Sequence, residues 1–301
     1  MTLTLDSVRQ RHKLINEMID KAIKYNEILS EYEDDLDWGG AKVALDDLAA
    51  IEQLVCAEEI FIETFNKLSS TPHSSDEEKD ELLEIFSEQG VKIFVYAILL
   101  NRLEYLLKTM NDWGFRTKDG EEFLEYLRVR LEALIAKYKD YDVAAQSFDD
   151  APPETSDILD TNSGRLKVVM DLYDRAKKIA DDFRENEQTK PATFGDILGV
   201  TVMMERLMAL REFVRTEGIL RVAIEGVHKV ADVSEETREK FVSVFAGQSW
   251  VFIRVILCGH IERTINFADN KFNDSRLNDF QKDFRETLEE LRDCYADIYG
   301  V

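Results

Sequence analysis

The residues best equipped for chemistry lie in one stretch, Ser249 to Arg263, which is almost wholly apolar and is interrupted by Arg254, His260 and Glu262. An imidazole titrates near neutral pH and can pass protons, a guanidinium forks onto anions, and a carboxylate pairs with either. In an apolar helix all three are costly to bury unless they are paired. The structural reading therefore comes first. Glu262 pairs with Arg254, Arg263 or a neighbouring helix, and His260 is a satisfied core or boundary imidazole.

Other chemistries lack a pattern. There are four histidines, no Ser/His/Asp signature, no Gly-rich phosphate loop and no HExxH. Glu225 and His228 have the Glu-x-x-His spacing of ferritin-like carboxylate sites, but the first half offers Glu63-Thr64-Phe65-Asn66 at the equivalent place, so His228 reads as a helix-end cation. Cys56, Cys258 and Cys294 are odd in number and far apart, with no CxxC pair. They read as small buried hydrophobes in a reducing compartment. No cofactor and no metal is expected.

The elements that must position these residues are helices. Prolines number four and glycines 13 in 301 residues, which leaves long stretches free of breakers. Leu14, Ile15, Met18, Ala22, Tyr25, Ile28 and Leu29 repeat at three and four, and Asp6 or Ser7 caps them. This first helix is expected to end before Trp38-Gly39-Gly40. A second helix carries Val43 to Leu68. A third opens at a Ser75/Glu78 capping box, with a kink expected at Gly90, and ends at Trp113-Gly114. A fourth holds Phe123 to Tyr138.

The same order then recurs. Asp20-Lys21-Ala22 matches Asp174-Arg175-Ala176; Leu48, Leu54, Val55 and Ile60 match Leu207, Phe213, Val214 and Ile219; Phe86 matches Phe245. Phe123, Leu127, Leu131, Leu134 and Tyr138 match Phe280, Phe284, Leu288, Leu291 and Tyr295. The offset stays between 154 and 159 and changes at loops. The reading is an all-α chain of two tandem four- to five-helix bundles related by internal duplication. Residues 1–142 form the first repeat, 143–163 an acidic Pro-containing linker and 164–301 the second. Two such copies can pack about a pseudo-two-fold axis, as in an isologous dimer. Glu104 matches Glu262, whereas Tyr96 and Arg102 stand where the second repeat has Arg254 and His260.

Net charge is −23, a field that repels phosphate backbones. The N-terminus lacks a basic, apolar signal, and the runs Ile93–Leu100 and Trp250–Ile261 fall short of the roughly 20 residues of a membrane span. A soluble, cytoplasmic protein without membrane contact is expected.

Arg254, five residues, then His260 fits the R-x4-6-H motif of HEPN domains, and Gly259-His260-Ile261-Glu262 after an apolar run resembles the Gly-aromatic-aliphatic-Glu step of the RiboL-PSP-type branch. The resemblance implies a metal-independent ribonuclease, or an inactive relative. His260 would act as general acid or base on a ribose 2′-OH, Arg254 would bind the phosphate, and the site would lie at a dimer interface. Two positions depart from that pattern. Val255 follows the arginine where these nucleases usually carry a polar residue, and the first repeat lacks the pair, so a composite site would be half complete. The leading expectation is a non-catalytic interaction or scaffold protein, a degenerate HEPN-type pair, with a protein partner or a second copy of itself. A ribonuclease using Arg254, His260 and Glu262 on RNA is the alternative. An acidic decoy for a nucleic-acid-binding partner is the second alternative.

Overall fold

A computed structural model describes residues 5–30, 36–73, 75–87, 94–140, 158–185, 192–269 and 276–301. The fold is all-α. The helices are α1 (Val8–Leu29), α2 (Leu36–Ser70), α3 (Asp76–Phe86), α4 (Asn101–Trp113), α5 (Lys118–Lys139), α6 (Asn162–Glu185), α7 (Phe194–Lys229), α8 (Glu235–Val251), α9 (Gly259–Ala268) and α10 (Arg276–Tyr299). Wide π-helical turns lead into α4 at Phe94–Leu100 and into α9 at Phe252–Cys258. The two wide turns start 158 residues apart, so each half enters the corresponding helix the same way. The kink expected at Gly90 and most of the expected linker lie outside the described residues.

Capping chemistry sets the helix starts. Ser7 accepts from the Gln10 N–H, and the Gln10 side chain returns to the Ser7 N–H. Thr161, at the matching place, accepts from the Gly164 N–H at 3.0 Å. Ser75 accepts from the Glu78 N–H, and Ser234 from the Thr237 N–H. α4 stops at Gly114, whose φ of +66° suits a residue without Cβ.

The first helix ends at Leu29, before Trp38 as expected, but Trp38-Gly39-Gly40 lie inside the first turns of α2 and not between the helices. The glycines serve close approach rather than a turn. A Cβ on Gly40 would meet the Trp113 ring at 2.6 Å, and one on Gly39 would meet Phe194 at 3.0 Å. Asp37 fixes this end of α2, accepting from the Arg116 and Thr117 N–H groups at 2.8 Å.

α1 packs along α2 and α6 along α7, and the two long helices, of 35 and 36 residues, meet each other. α3 also packs on α7, and α8 on α2, so each half reaches over the other. The buried side chains form one continuous apolar cluster through both halves. Several contacts between the halves join positions 156 to 159 apart. Phe86 meets Phe245 edge-on at 5.0 Å, and the Glu78 carboxylate accepts from the Thr237 hydroxyl and from the Ser234 N–H at 2.7 Å.

α8, the wide turn and α9 form one continuous helix, Glu235–Ala268, of 34 residues. By length and composition it is apolar enough to cross a membrane, which the shorter apolar runs of the sequence did not disclose. In this fold 44% of its most apolar window is buried, and it packs on α7, α2 and α10.

Candidate functional site

His260 lies where α9 meets α7, and the residues around it form a charged layer at the α2–α7 crossing. α2 supplies Asp46 and Asp47, α4 supplies Arg102 and Tyr105, and α7 supplies Glu205 and Arg206. Arg102 is buried and bonds the fully buried Asp47 within the first half, then reaches Glu205 of the second at 3.5 Å. The Tyr105 hydroxyl donates to the other Glu205 oxygen at 2.8 Å, and the Arg102 guanidinium lies over the Tyr105 ring. Arg206 crosses the other way, pairing with Asp46 at 2.6 Å and donating to the Arg263 carbonyl at 3.0 Å. Three carboxylates and two guanidiniums thus bridge the halves.

His260 contributes its ring Nε2, 2.9 Å from the Arg206 carbonyl oxygen. A carbonyl only accepts, so Nε2 carries the proton. The ring meets Phe213 edge-on at 5.0 Å. Burial lowers its pKa to about 3; Arg206, Arg263 and Arg102 push the same way, and the bond to the Arg206 carbonyl opposes them. The imidazole is neutral at physiological pH. Burial pushes the Asp47 carboxyl up against the pull of Arg102, with Glu205 and Asp46 adding to the rise. For Arg102, burial works against the charge, and Asp47 and Glu205 outweigh it.

The three residues singled out by sequence do not converge. His260 points into the core, while Arg254 and Glu262 are exposed. Arg254 lies in the wide π-helical turn and His260 in the first turn of α9, and the two side chains leave the helix on different faces. His260 is the satisfied core imidazole of the structural reading. Glu262 makes no close ion pair among the described residues, although its charge acts on Arg263 and on Arg292 of α10. Its counterpart Glu104 does tie α4 to α5, through Lys139 at 2.6 Å, but the residue matching Lys139 is Ala296. His228 occupies the last turn of α7 as expected, and Glu225 faces Lys229 at 3.8 Å.

Two further polar centres escaped sequence reasoning. Arg11, Glu58 and Tyr138 form a buried triad in the first half: Arg11 donates to Glu58, to the Tyr138 oxygen at 3.0 Å and to the Leu5 carbonyl at 2.9 Å. Arg165, Glu217 and Tyr295 take the same places in the second half. Arg165 holds both Glu217 oxygens, at 2.9 and 3.0 Å, and the Leu159 carbonyl at 2.7 Å. The signal was available, since Arg11 falls three and four residues before Leu14 and Ile15 on the apolar face of α1.

The cysteines also need correction. Cys258 is buried, but Cys56 and Cys294 are half-buried and have polar neighbours. Cys294 lies 3.3 Å from the Leu159 carbonyl. Cys56 lies 3.4 Å from a Glu52 oxygen and 3.7 Å from His12 Nε2, and that oxygen and nitrogen are 2.7 Å apart. Among the described residues, this is the group of side chains able to share a metal ion. A cleft of about 360 Å³ opens between α7, α8 and α10, lined by Glu217, Arg221, Trp250, Ile253, Ile298 and Tyr299 among others. No protein-family description, curated protein or solved structure matches the chain.

Proposed function

We propose that the protein is a non-catalytic helical scaffold, a fused and degenerate HEPN-type pair that works through protein contacts. The observation that carries this reading is the state of His260. Its one proton donor is engaged by the Arg206 carbonyl, its ring is buried, and its pKa lies near 3. A general acid or base needs a pKa near the operating pH and reach to the reacting proton. Arg254 keeps the motif spacing and faces solvent.

Internal duplication fits the same observations. The Leu5, Arg11, Glu58 and Tyr138 set is matched by Leu159, Arg165, Glu217 and Tyr295 at offsets of 154 to 159, and the wide turns at 158. Phe86 touching Phe245 is what an isologous interface produces near its axis. A net charge of −23 favours a protein partner over RNA.

The test uses the full chain with single-stranded RNA at low salt and a chelator present. Neither cleavage nor binding is expected. In His260→Ala, the change should appear as a lower melting temperature. Cleavage by the unaltered chain that disappears in His260→Ala but persists in His228→Ala would overturn the proposal.

A further inference from the structure

We propose that His12, Glu52 and Cys56 form a zinc-binding site that clips α1 to α2. His12 comes from α1, and Glu52 and Cys56 stand four apart on one face of α2. Their ligand atoms are already grouped, with Sγ 3.4 Å from Oε1 and 3.7 Å from Nε2, and Nε2 2.7 Å from Oε1.

These distances can be set against a tetrahedron. With zinc bonds of about 2.0 Å to nitrogen and oxygen and about 2.3 Å to sulfur, the edges are about 3.5 Å from sulfur and about 3.3 Å between nitrogen and oxygen. Both sulfur edges agree to about 0.2 Å. The nitrogen–oxygen edge is now a hydrogen bond and must open by about 0.6 Å. The side chains of His12 and Glu52 retain 33% and 27% exposure, enough to let them part, to admit an ion and to leave a fourth position for water.

Charge and chemistry select the ion. On binding, Cys56 releases one proton to solvent. Thiolate, carboxylate and Zn²⁺ then sum to zero with neutral His12, so no net charge is left in a half-buried place. One sulfur, one nitrogen and one oxygen suit zinc or cobalt and are poor for magnesium or calcium, which take oxygen ligands. The second half offers a contrast: Leu166, Arg211 and Arg215 hold the matching positions, so guanidiniums stand where the first half would bind a metal cation. No motif announces the site in the sequence because its residues are 40 and four apart.

The test begins with the full chain stripped by chelator and titrated with Zn²⁺, with metal content and melting temperature read together. One ion per chain and a rise in melting temperature are expected. Co²⁺ in its place should give a thiolate-to-cobalt charge-transfer band. Cys56→Ser and His12→Gln should each weaken binding by about 100-fold or more, while Cys294→Ser leaves it unchanged. Circular dichroism of the metal-free variants establishes that they are folded. Failure of the folded chain to retain zinc would overturn the proposal, as would a cobalt spectrum lacking the sulfur band or retention of the ion by the His12→Gln/Cys56→Ser double variant.

Discussion

In the first half, Glu58 is bonded by Arg11 and by the Tyr138 hydroxyl at 2.6 Å, and that hydroxyl also accepts from Arg11. In the second half, Glu217 holds the matching place, but Arg165, Asn162 and Tyr299 bond it, and the Tyr295 hydroxyl stands beside Arg165 without bonding the carboxylate. One half closes a ring of three side chains. The other gathers donors onto a single carboxylate that its tyrosine hydroxyl does not bond, while in both halves the guanidinium lies over the tyrosine ring, at 5.1 and 5.0 Å. The difference shows that the buried ion pair is the shared device, while the neutral partners around it are replaceable. It also places Glu217 and Tyr299 beside the cleft of α7, α8 and α10.

The largest effect should come from removing each carboxylate. Glu217→Leu leaves more buried donors without an acceptor than Glu58→Leu. Losses of about 5 and about 3 kcal/mol are expected in denaturant unfolding. Equal losses would remove the distinction between ring and fan.

The next effect concerns the layer between the halves and has a defined pH window. The ordinary histidine pKa of 6.5 falls to about 3 in the folded chain. Between these values the unfolded chain binds a proton that the folded chain does not. The contribution is complete above pH 6.5 and is lost as pH falls to about 3, amounting to about 5 kcal/mol. In His260→Gln the fall in stability across that window should shrink by about this amount. An unchanged acid profile would place the imidazole in water.

Hydroxyl removal sharpens the comparison further. Tyr138→Phe deletes a bonded hydroxyl and should lose about 2 kcal/mol, whereas Tyr295→Phe should stay within about 0.5 kcal/mol. The smallest contrast is on the surface. Glu104→Gln, which breaks the pair with Lys139, should lose about 0.5 kcal/mol, and Glu262→Gln nothing measurable, both read by thermal unfolding.

The apolar rhythm made the helices legible, because a face that must be buried repeats at three and four whatever it packs against. It also placed His260 in a core helix and matched Tyr138 to Tyr295. The burial of Arg11 and Glu58 was harder to read, because a charged residue spells the same way in a core as on a surface. The orientation of Arg254 depended on a helical face that spacing from His260 alone did not supply. Gly39 and Gly40 read as a stop because nothing local reveals that Trp113, Phe115 and Phe194 press against them.

The Arg11 guanidinium holds Leu5 near the start of the first half and Tyr138 near its end. Arg165 likewise bonds Leu159, and Tyr299 near the end of the second half donates to Glu217, the carboxylate that Arg165 also grips. Each half therefore begins and finishes in one neighbourhood. Chain that enters and leaves a unit at one place can be cut or joined there at little cost, so the ends of each half are where an insertion or a new junction is best tolerated.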